Sequence, residues 1–106
     1  MELKELISKA KEKEVKAMEE LFNKFTPLLK SRAKRYSRIG LEYEEVFQQA
    51  ALIFILAVYD YQEKFPTTFA GYIQKRIDWG LWVYYREYLK QKIEIPSGLN
   101  PKNPHW

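Results

Sequence analysis

The segment Ala50–Tyr59, AALIFILAVY, contains no charged side chain, in a chain of 106 residues of which 30% are charged. It is far shorter than the ~20 apolar residues that a bilayer-spanning helix needs, so it predicts a helix of a globular domain. A chain of this length is expected to hold one domain with one hydrophobic core. This segment must therefore supply much of that core.

Apolar residues recur at three- and four-residue spacing along most of the chain, and no stretch alternates with a period of two for long enough to indicate a strand. The pattern predicts an all-α domain, a compact bundle of four helices over residues 1–93. The predicted helices are Glu2–Lys11, Val15 to a stop at Gly40, Glu42–Tyr61, and Phe69 to about Ile93. Residues 94–106 carry three prolines and a glycine, which is typical of an extended tail or linker.

Several single residues refine this outline. Gly40 is a natural left-handed helix stop, and either Thr67 or Thr68 is able to cap the fourth helix. Gly80 lies on the inward stripe of that helix, where the missing side chain permits a close approach of two helices. The first two helices are expected to contribute core residues that include Leu3, Leu6, Ile7, Ala10, Val15, Met18 and Leu21.

The formal net charge of +4 is distributed unevenly along the chain. Residues 1–40 carry a net charge of +5, residues 41–66 a net charge of −4, and residues 67–106 a net charge of +3. Basic segments thus flank an acidic, apolar one. This arrangement suits a protein that meets a polyanion on one side and a different partner on another.

Other features exclude whole classes of function. The chain has no cysteine, hence no disulfide, no thiolate zinc site and no cysteine nucleophile. It has no glycine-rich phosphate loop and no HExxH pair, and its one histidine, His105, lies in the predicted tail. We therefore expect no enzyme activity, no catalytic residue, no metal and no cofactor. The N-terminal MELKELISKAKEKE lacks an apolar signal core, so we expect a cytoplasmic protein with no membrane partner.

The third predicted helix has two apolar faces. Placed at 100° per residue, its core face collects Tyr43, Val46, Phe47, Ala50, Ala51, Phe54, Ala57, Val58 and Tyr61. Its opposite face collects Glu45, Gln48, Gln49, Leu52, Leu56, Tyr59, Asp60 and Glu63. An apolar centre with a polar and acidic border is typical of a partner-binding surface. The alternative is that the first helix or the start of the second covers Leu52 and Leu56, and the sequence leaves both possibilities open.

The fourth predicted helix combines aromatic and basic residues on one side. Its outer face carries Tyr72, Lys75, Trp79, Trp82, Val83, Arg86 and Lys90, with Arg76 at the edge. Single-stranded nucleic acid requires flat rings on which bases stack and cations that neutralise phosphates, and this face supplies both. The alternative is that Trp79 and Trp82 pack under a neighbouring helix and the cations are ordinary solvated residues.

Three segments carry a recognisable order of motifs: LISKAKEKEVKAMEELFNKFTPLL near the start of the chain, EVFQQ and AVYDYQ in the third predicted helix, and the segment from Phe69 to Ile77. In this order they resemble region two of bacterial sigma-70 family factors of the extracytoplasmic-function type, whose opening reads Leu-x-x-x-Ala, then Ala-Phe-x-x-Leu-Tyr-x-x-Tyr. The family's Asp-Leu-x-Gln-Glu, then Ala-x-x-x-Phe-Asp, resembles EVFQQ at residues 45–49 and AVYDYQ at residues 57–62. Its Phe-x-x-Tyr/Trp-x-x-x-x-Ile is similar to the segment from Phe69 to Ile77. The resemblance covers about residues 3–90.

The resemblance implies a helical domain that binds core RNA polymerase through the coiled coil of the beta-prime clamp. It also implies capture of the single-stranded non-template strand of the minus-ten promoter DNA. The implied polymerase-binding residues are Glu45, Gln48, Gln49, Leu52 and Leu56. The implied DNA-binding residues are Tyr72, Lys75, Arg76, Trp79, Trp82 and Arg86.

The chain departs from the family pattern at three places. Gln49 replaces a glutamate, so a charged contact with the clamp becomes a neutral hydrogen bond. The adjacent tryptophans with which housekeeping sigma factors open the duplex fall on Lys75 and Arg76. No helix-turn-helix domain for the minus thirty-five element follows, so we expect a fragment, one half of a split sigma factor, or a regulator. A second sigma-like subunit or an anti-sigma factor is then a further expected partner. The alternative is a helical interaction module that does not bind DNA.

Overall fold

The computed structural model describes residues 2–92, which form four α-helices joined by short turns. They are α1 (Leu3–Lys11), α2 (Val15–Ser37), α3 (Tyr43–Asp60) and α4 (Phe69–Lys92). No β-strand occurs within residues 2–92. The all-α prediction is confirmed, with the four helices in the predicted order. The predicted end of the fourth helix near Ile93, the tail over residues 94–106 and His105 lie outside the described residues.

The helices α2, α3 and α4 form the body of the domain, and α1 packs against α2 and α3. Two pairs of aromatic rings join α2 to α4. The earlier residue of α2, Phe25, contacts the earlier residue of α4, Phe69, and the later residue, Tyr36, contacts the later one, Tyr85. The helices α2 and α4 therefore run in the same direction. In α3 the order is reversed, because Asp60 pairs with the early residue Arg76 of α4 while Ile53 lies against Gly80. Thus α3 is antiparallel to α4.

Phe54 lies at the centre of the core and is fully buried. Its ring packs against those of Phe22 and Phe25, with centroids 5.7 and 5.4 Å away. Around it, the predicted core stripe of α3 supplies the buried residues Val46, Ala50, Phe54, Ala57 and Val58. The stripe of α4 likewise supplies Phe69, Ile73, Ile77 and Leu81. The core face that the spacing predicts for α3 is thus confirmed at these five positions, and Gly80 lies on the inward side of α4, against Ile53.

Two residues expected in the core are exposed. Leu3 and Val15 are the first residues of α1 and α2, and both side chains face solvent. Their spacing matches the core stripe, but each lies at a helix end with no neighbouring helix over it. The prediction that they are buried is therefore wrong, because periodicity assigns a face to a residue without indicating how far the opposing helix extends.

Glycine and threonine mark two helix boundaries as predicted. Gly40 follows α2 with a φ of 106°, a left-handed conformation that glycine adopts without strain. Its carbonyl accepts a hydrogen bond of 3.1 Å from the hydroxyl of Tyr88, which connects this turn to α4. Thr68 precedes α4, and its hydroxyl oxygen accepts a 3.1 Å hydrogen bond from the backbone N–H of Gly71. Thr68, not Thr67, is the residue that caps α4.

Gly80 is the point of closest approach between α3 and α4. A Cβ atom at Gly80 would lie 2.5 Å from Cδ1 and 3.0 Å from Cγ1 of Ile53, well inside van der Waals contact. We expect Gly80→Ala to destabilise the domain by about 1 kcal/mol, because overpacking costs about 1–3 kcal/mol and alanine recovers about 0.5–1 kcal/mol of helix propensity. Urea unfolding measures this change.

The control for this prediction is the same substitution in an Ile53→Ala background. There the colliding atoms are absent, so Gly80→Ala should be neutral or stabilising and the two changes should be strongly coupled. Additive effects of the two substitutions would contradict a close contact between Ile53 and Gly80.

Candidate protein- and nucleic-acid-binding faces

The outer face of α3 presents an apolar centre to solvent. Leu52 is 51% exposed and Leu56 is 49% exposed, and Tyr59 extends the surface toward the end of the helix. Within the described residues, neither α1 nor the start of α2 covers these side chains. The structure therefore favours an open apolar face over the alternative in which Leu52 and Leu56 are buried in the bundle.

The border of this face is polar, as the helical wheel predicts. Glu45 and Gln48 are exposed, and Gln49 is half-buried. Burial is the main cause that raises the pKa of Tyr84 on α4, and the nearby carboxylate of Glu45 adds to it. Glu45 thus lies at the seam between α3 and α4, one turn before Gln48 and Gln49 on the same face. The five predicted polymerase-binding residues occupy one continuous surface of α3.

A groove beside this surface was not predicted from the sequence. It lies between the first half of α2 and the later turns of α3 and has a volume of about 560 Å³. Its apolar lining includes Met18, Phe22, Ala51, Ile55 and Tyr59. Since Tyr59 belongs to both features, the groove extends the apolar face of α3 toward α2. The sequence spacing predicted Ala51 in the core. It did not indicate that α2 covers the side of α3 with Ala51, Ile55 and Tyr59 only in part.

The outer face of α4 is aromatic and basic. Trp79 is 65% exposed and Trp82 is 45% exposed, and neither lies under a neighbouring helix. The exposed cations on this face are Lys75, Arg86 and Lys90. The ring of Trp82 rests against that of Tyr85, with centroids 6.1 Å apart. Trp79 thus projects freely, while Trp82 is held on one side and open on the other.

Tyr72 and Arg76 have a different environment from the two tryptophans. Tyr72 packs against Tyr61 and Phe65, with ring centroids 5.3 and 5.4 Å away. Arg76 donates hydrogen bonds to the carboxylate of Asp60 at 3.1 Å and to the hydroxyl of Tyr72 at 2.7 Å. These contacts attach the start of α4 to the end of α3. Since a guanidinium has five N–H donors, Arg76 keeps donors for a further anion, whereas Tyr72 offers only part of its ring.

Several kinds of site are not found in the described part of the chain. No group of three or more histidine, aspartate or glutamate residues in residues 2–92 is arranged to hold a metal ion. Over the same residues, none of the helices combines the length and apolarity that crossing a bilayer requires.

No protein-family model, curated protein or solved structure matches the chain. The structure brings two exposed faces of different chemistry close together. One face is apolar with an acidic and amide border, on α3, and the other is aromatic and basic, on α4. They lie on adjacent antiparallel helices joined by the Arg76–Asp60 ion pair.

Proposed function

We propose that the protein acts as a sigma region-two-like transcription factor that binds core RNA polymerase through α3 and single-stranded promoter DNA through α4. Its action is recognition and involves no chemical step. The observation that supports this most is the pairing of two exposed surfaces of opposite chemistry on neighbouring helices. A domain that only folds has no need to leave both leucines and both tryptophans in solvent.

The α3 surface supports the polymerase half of the proposal. A coiled coil offers a ridge of side chains from two helices, and a helix with an apolar centre and polar border is a suitable partner for such a ridge. Leu52 and Leu56 would occupy the centre of the contact, with Glu45, Gln48 and Gln49 at its rim. Binding to the clamp would then depend on the leucines for affinity and on the rim for orientation.

The α4 surface supports the DNA half. Unstacked bases would stack on Trp79 and Trp82, while Lys75 and Arg86 neutralise the phosphates beside them. Lys75 precedes Trp79 by four residues and Arg86 follows Trp82 by four, so each tryptophan has a cation one turn away. This spacing is suited to following a strand along the helix.

A second candidate is a helical interaction module that binds polymerase or another protein without binding DNA. The internal contacts of Tyr72 and Arg76 favour this candidate, because two of the six predicted DNA-binding residues already have partners within the domain. The apolar groove beside α3 also favours a protein partner. The two candidates share the α3 surface and differ at α4.

Calorimetric titration of the protein with the isolated beta-prime clamp coiled coil tests the shared part of the proposal. Leu52→Glu is expected to weaken binding at least 10-fold, because it places a charge in the apolar centre of the contact, while changing the free energy of unfolding by less than about 0.5 kcal/mol. Gln48→Ala is expected to have a smaller effect because it removes one rim hydrogen bond.

Exposed residues on another helix provide the control for Leu52→Glu. Lys16→Glu introduces the same side chain on α2, and it should leave clamp binding unchanged. If the folded protein shows no binding to the clamp at tens of micromolar, the polymerase half of the proposal is wrong. A large loss of stability in Leu52→Glu would instead mean that this face is buried within the domain.

A further inference from the structure

The second half of α2 and the turn after it carry a concentration of positive charge that the proposed function does not use. Between residues 21 and 41 the chain contains six cations and no acidic residue. The cations are Lys24, Lys30, Arg32, Lys34, Arg35 and Arg38. By contrast, the first half of α2 contains both Glu19 and Glu20. The acidic residues of α2 therefore lie in its first half and the uninterrupted basic residues in its second half.

Five of these six cations are directed to solvent. Arg32 is the exception, because its mostly buried guanidinium pairs with the carboxylate of Asp78 on α4 at 2.7 Å. The other five side chains are exposed, and no ion pair within residues 2–92 involves them. Like charges three and four residues apart on a helix repel each other and lower its stability. A row of this kind therefore points to an external polyanion that offsets the repulsion.

Lys30, Lys34 and Arg38 form the most regular part of this surface. Lys30 and Lys34 lie in α2, and Arg38 follows its last residue with a helical backbone conformation, so the four-residue spacing places the three in one row, about 6 Å apart along the helix axis. The row borders an open cleft of about 800 Å³ between α2 and the start of α3, in which Ser31, Ser37 and Tyr43 supply hydroxyl groups. Lysine, arginine and hydroxyl side chains are the groups that most often contact nucleic-acid phosphates.

The surroundings of the row favour nucleic acid over a membrane surface. A helix that lies on a lipid bilayer combines cations with a large apolar face that enters the headgroup region. From residue 24 to residue 41 the one exposed large apolar side chain is that of Ile39, in the turn after Arg38. A single residue does not make the apolar face that a bilayer requires, so the row offers mainly charge and hydrogen bonds, as contact with a phosphate backbone requires.

The row lies on the helix that runs parallel to the aromatic face of α4. Tyr36 of α2 contacts Tyr85, and Tyr85 contacts Trp82, so a chain of three rings joins the two helices. The Arg32–Asp78 ion pair joins them one or two turns earlier. Lys30, Lys34 and Arg38 lie about half a turn around the helix from Arg32 and Tyr36, so the row faces away from α4 and is a surface separate from the aromatic face.

We propose that the row formed by Lys30 and Lys34 of α2 and by Arg38, the residue after α2, binds the phosphate backbone of duplex nucleic acid. This contact rests on α2 and the turn after it and does not depend on the proposed function. The protein would accordingly bind duplex and single strand at separate surfaces. The contact is with phosphates and carries no sequence preference.

Fluorescence anisotropy with a labelled blunt duplex and a labelled single strand, each over a range of salt concentrations, tests this proposal. In K30Q/K34Q, duplex affinity should fall roughly 10- to 100-fold at 0.1 M salt, and the slope of log K against log salt should decrease by about 1.8, since each lost contact contributes about 0.9. Single-strand affinity should change less than about 2-fold.

The matched control is K13Q/K16Q, which removes the same charge from the start of α2 and the turn before it. It should leave the duplex slope unchanged. Equal losses in the two double variants would mean that only net charge matters, and the proposal would be overturned. Unchanged duplex binding in K30Q/K34Q, or tighter binding to phosphatidylserine vesicles than to duplex, would overturn it as well.

The outcome also separates this proposal from the one for α4. Trp79→Ala/Trp82→Ala should lose single-strand binding and keep the duplex affinity that depends on Lys30 and Lys34. If the unsubstituted protein binds duplex through these lysines but binds no single strand, the α2 contact stands and the DNA role of α4 is wrong.

Discussion

The double variant Trp79→Ala/Trp82→Ala is expected to bind single-stranded DNA at least ~30-fold more weakly than the unsubstituted protein. Stacking of a base on an aromatic side chain contributes about 1–3 kcal/mol, and two rings are removed, so the loss is at least about 2 kcal/mol. Anisotropy titration with a labelled single strand measures it. The melting temperature should fall by less than about 8 °C, because Trp79 is 65% exposed and Trp82 45% exposed, so little buried surface is lost besides the contact between Trp82 and Tyr85.

The conservative pair Trp79→Phe/Trp82→Phe provides the control. Phenylalanine retains a flat ring at both positions, so most of the single-strand affinity should return, whereas a loss caused by unfolding would not be rescued in this way. If the alanine variant stays folded and binds single strands as well as the parent, α4 is not the nucleic-acid face. The interaction module would then be the better account of the protein.

The faces of α3 and α4 could be predicted from the sequence because a helix fixes the angle between successive side chains. Once the segment from Ala50 to Tyr59 is taken as helical, Phe54 and Leu52 must lie on nearly opposite sides, and the structure places them so. Gly40 and Gly80 could be assigned for a similar reason, since each has a conformational or steric property that no other residue shares.

Contacts between helices could not be predicted in this way. The Arg32–Asp78 pair joins residues that are 46 positions apart, and the Arg76–Asp60 pair joins α4 to the end of α3. Which side chains meet depends on the crossing angle and relative shift of two helices, and neither is a property of one helix alone. For the same reason, the packing of Tyr72 in an aromatic cluster and the open cleft beside Lys30 became visible only in the folded chain.

The internal pairing of some cations divides the basic residues into two groups. Arg32 and Arg76 each hold α4 against a neighbouring helix, so their charge is already balanced by Asp78 and Asp60. Lys75 and Arg86 on α4, Lys30 and Lys34 on α2, and Arg38 directly after α2 have no such partner among the described residues. Net charge alone would count all of these residues alike, whereas the folded arrangement indicates which of them are not paired within the described part of the domain.

The largest stability effect is expected at the centre of the core. Phe54→Ala should lower the free energy of unfolding by about 3–5 kcal/mol, because it removes a fully buried ring and leaves a cavity between Phe22 and Phe25. Since total stability of a small domain is about 5–15 kcal/mol, this variant should be close to unfolding at ambient temperature. Urea denaturation followed by circular dichroism measures the change.

Leu52→Ala is the matched control, two residues away on the outer face of the same helix. It truncates an apolar side chain that is already half in solvent, so it should change stability by less than about 1 kcal/mol. Similar losses at the two positions would mean that α3 is buried all round and has no free face. If α3 has one face in the core and one face for a partner, Phe54→Ala should lower the free energy of unfolding strongly and Leu52→Ala only slightly. The ten uncharged residues of the segment Ala50–Tyr59 are then divided between folding and binding.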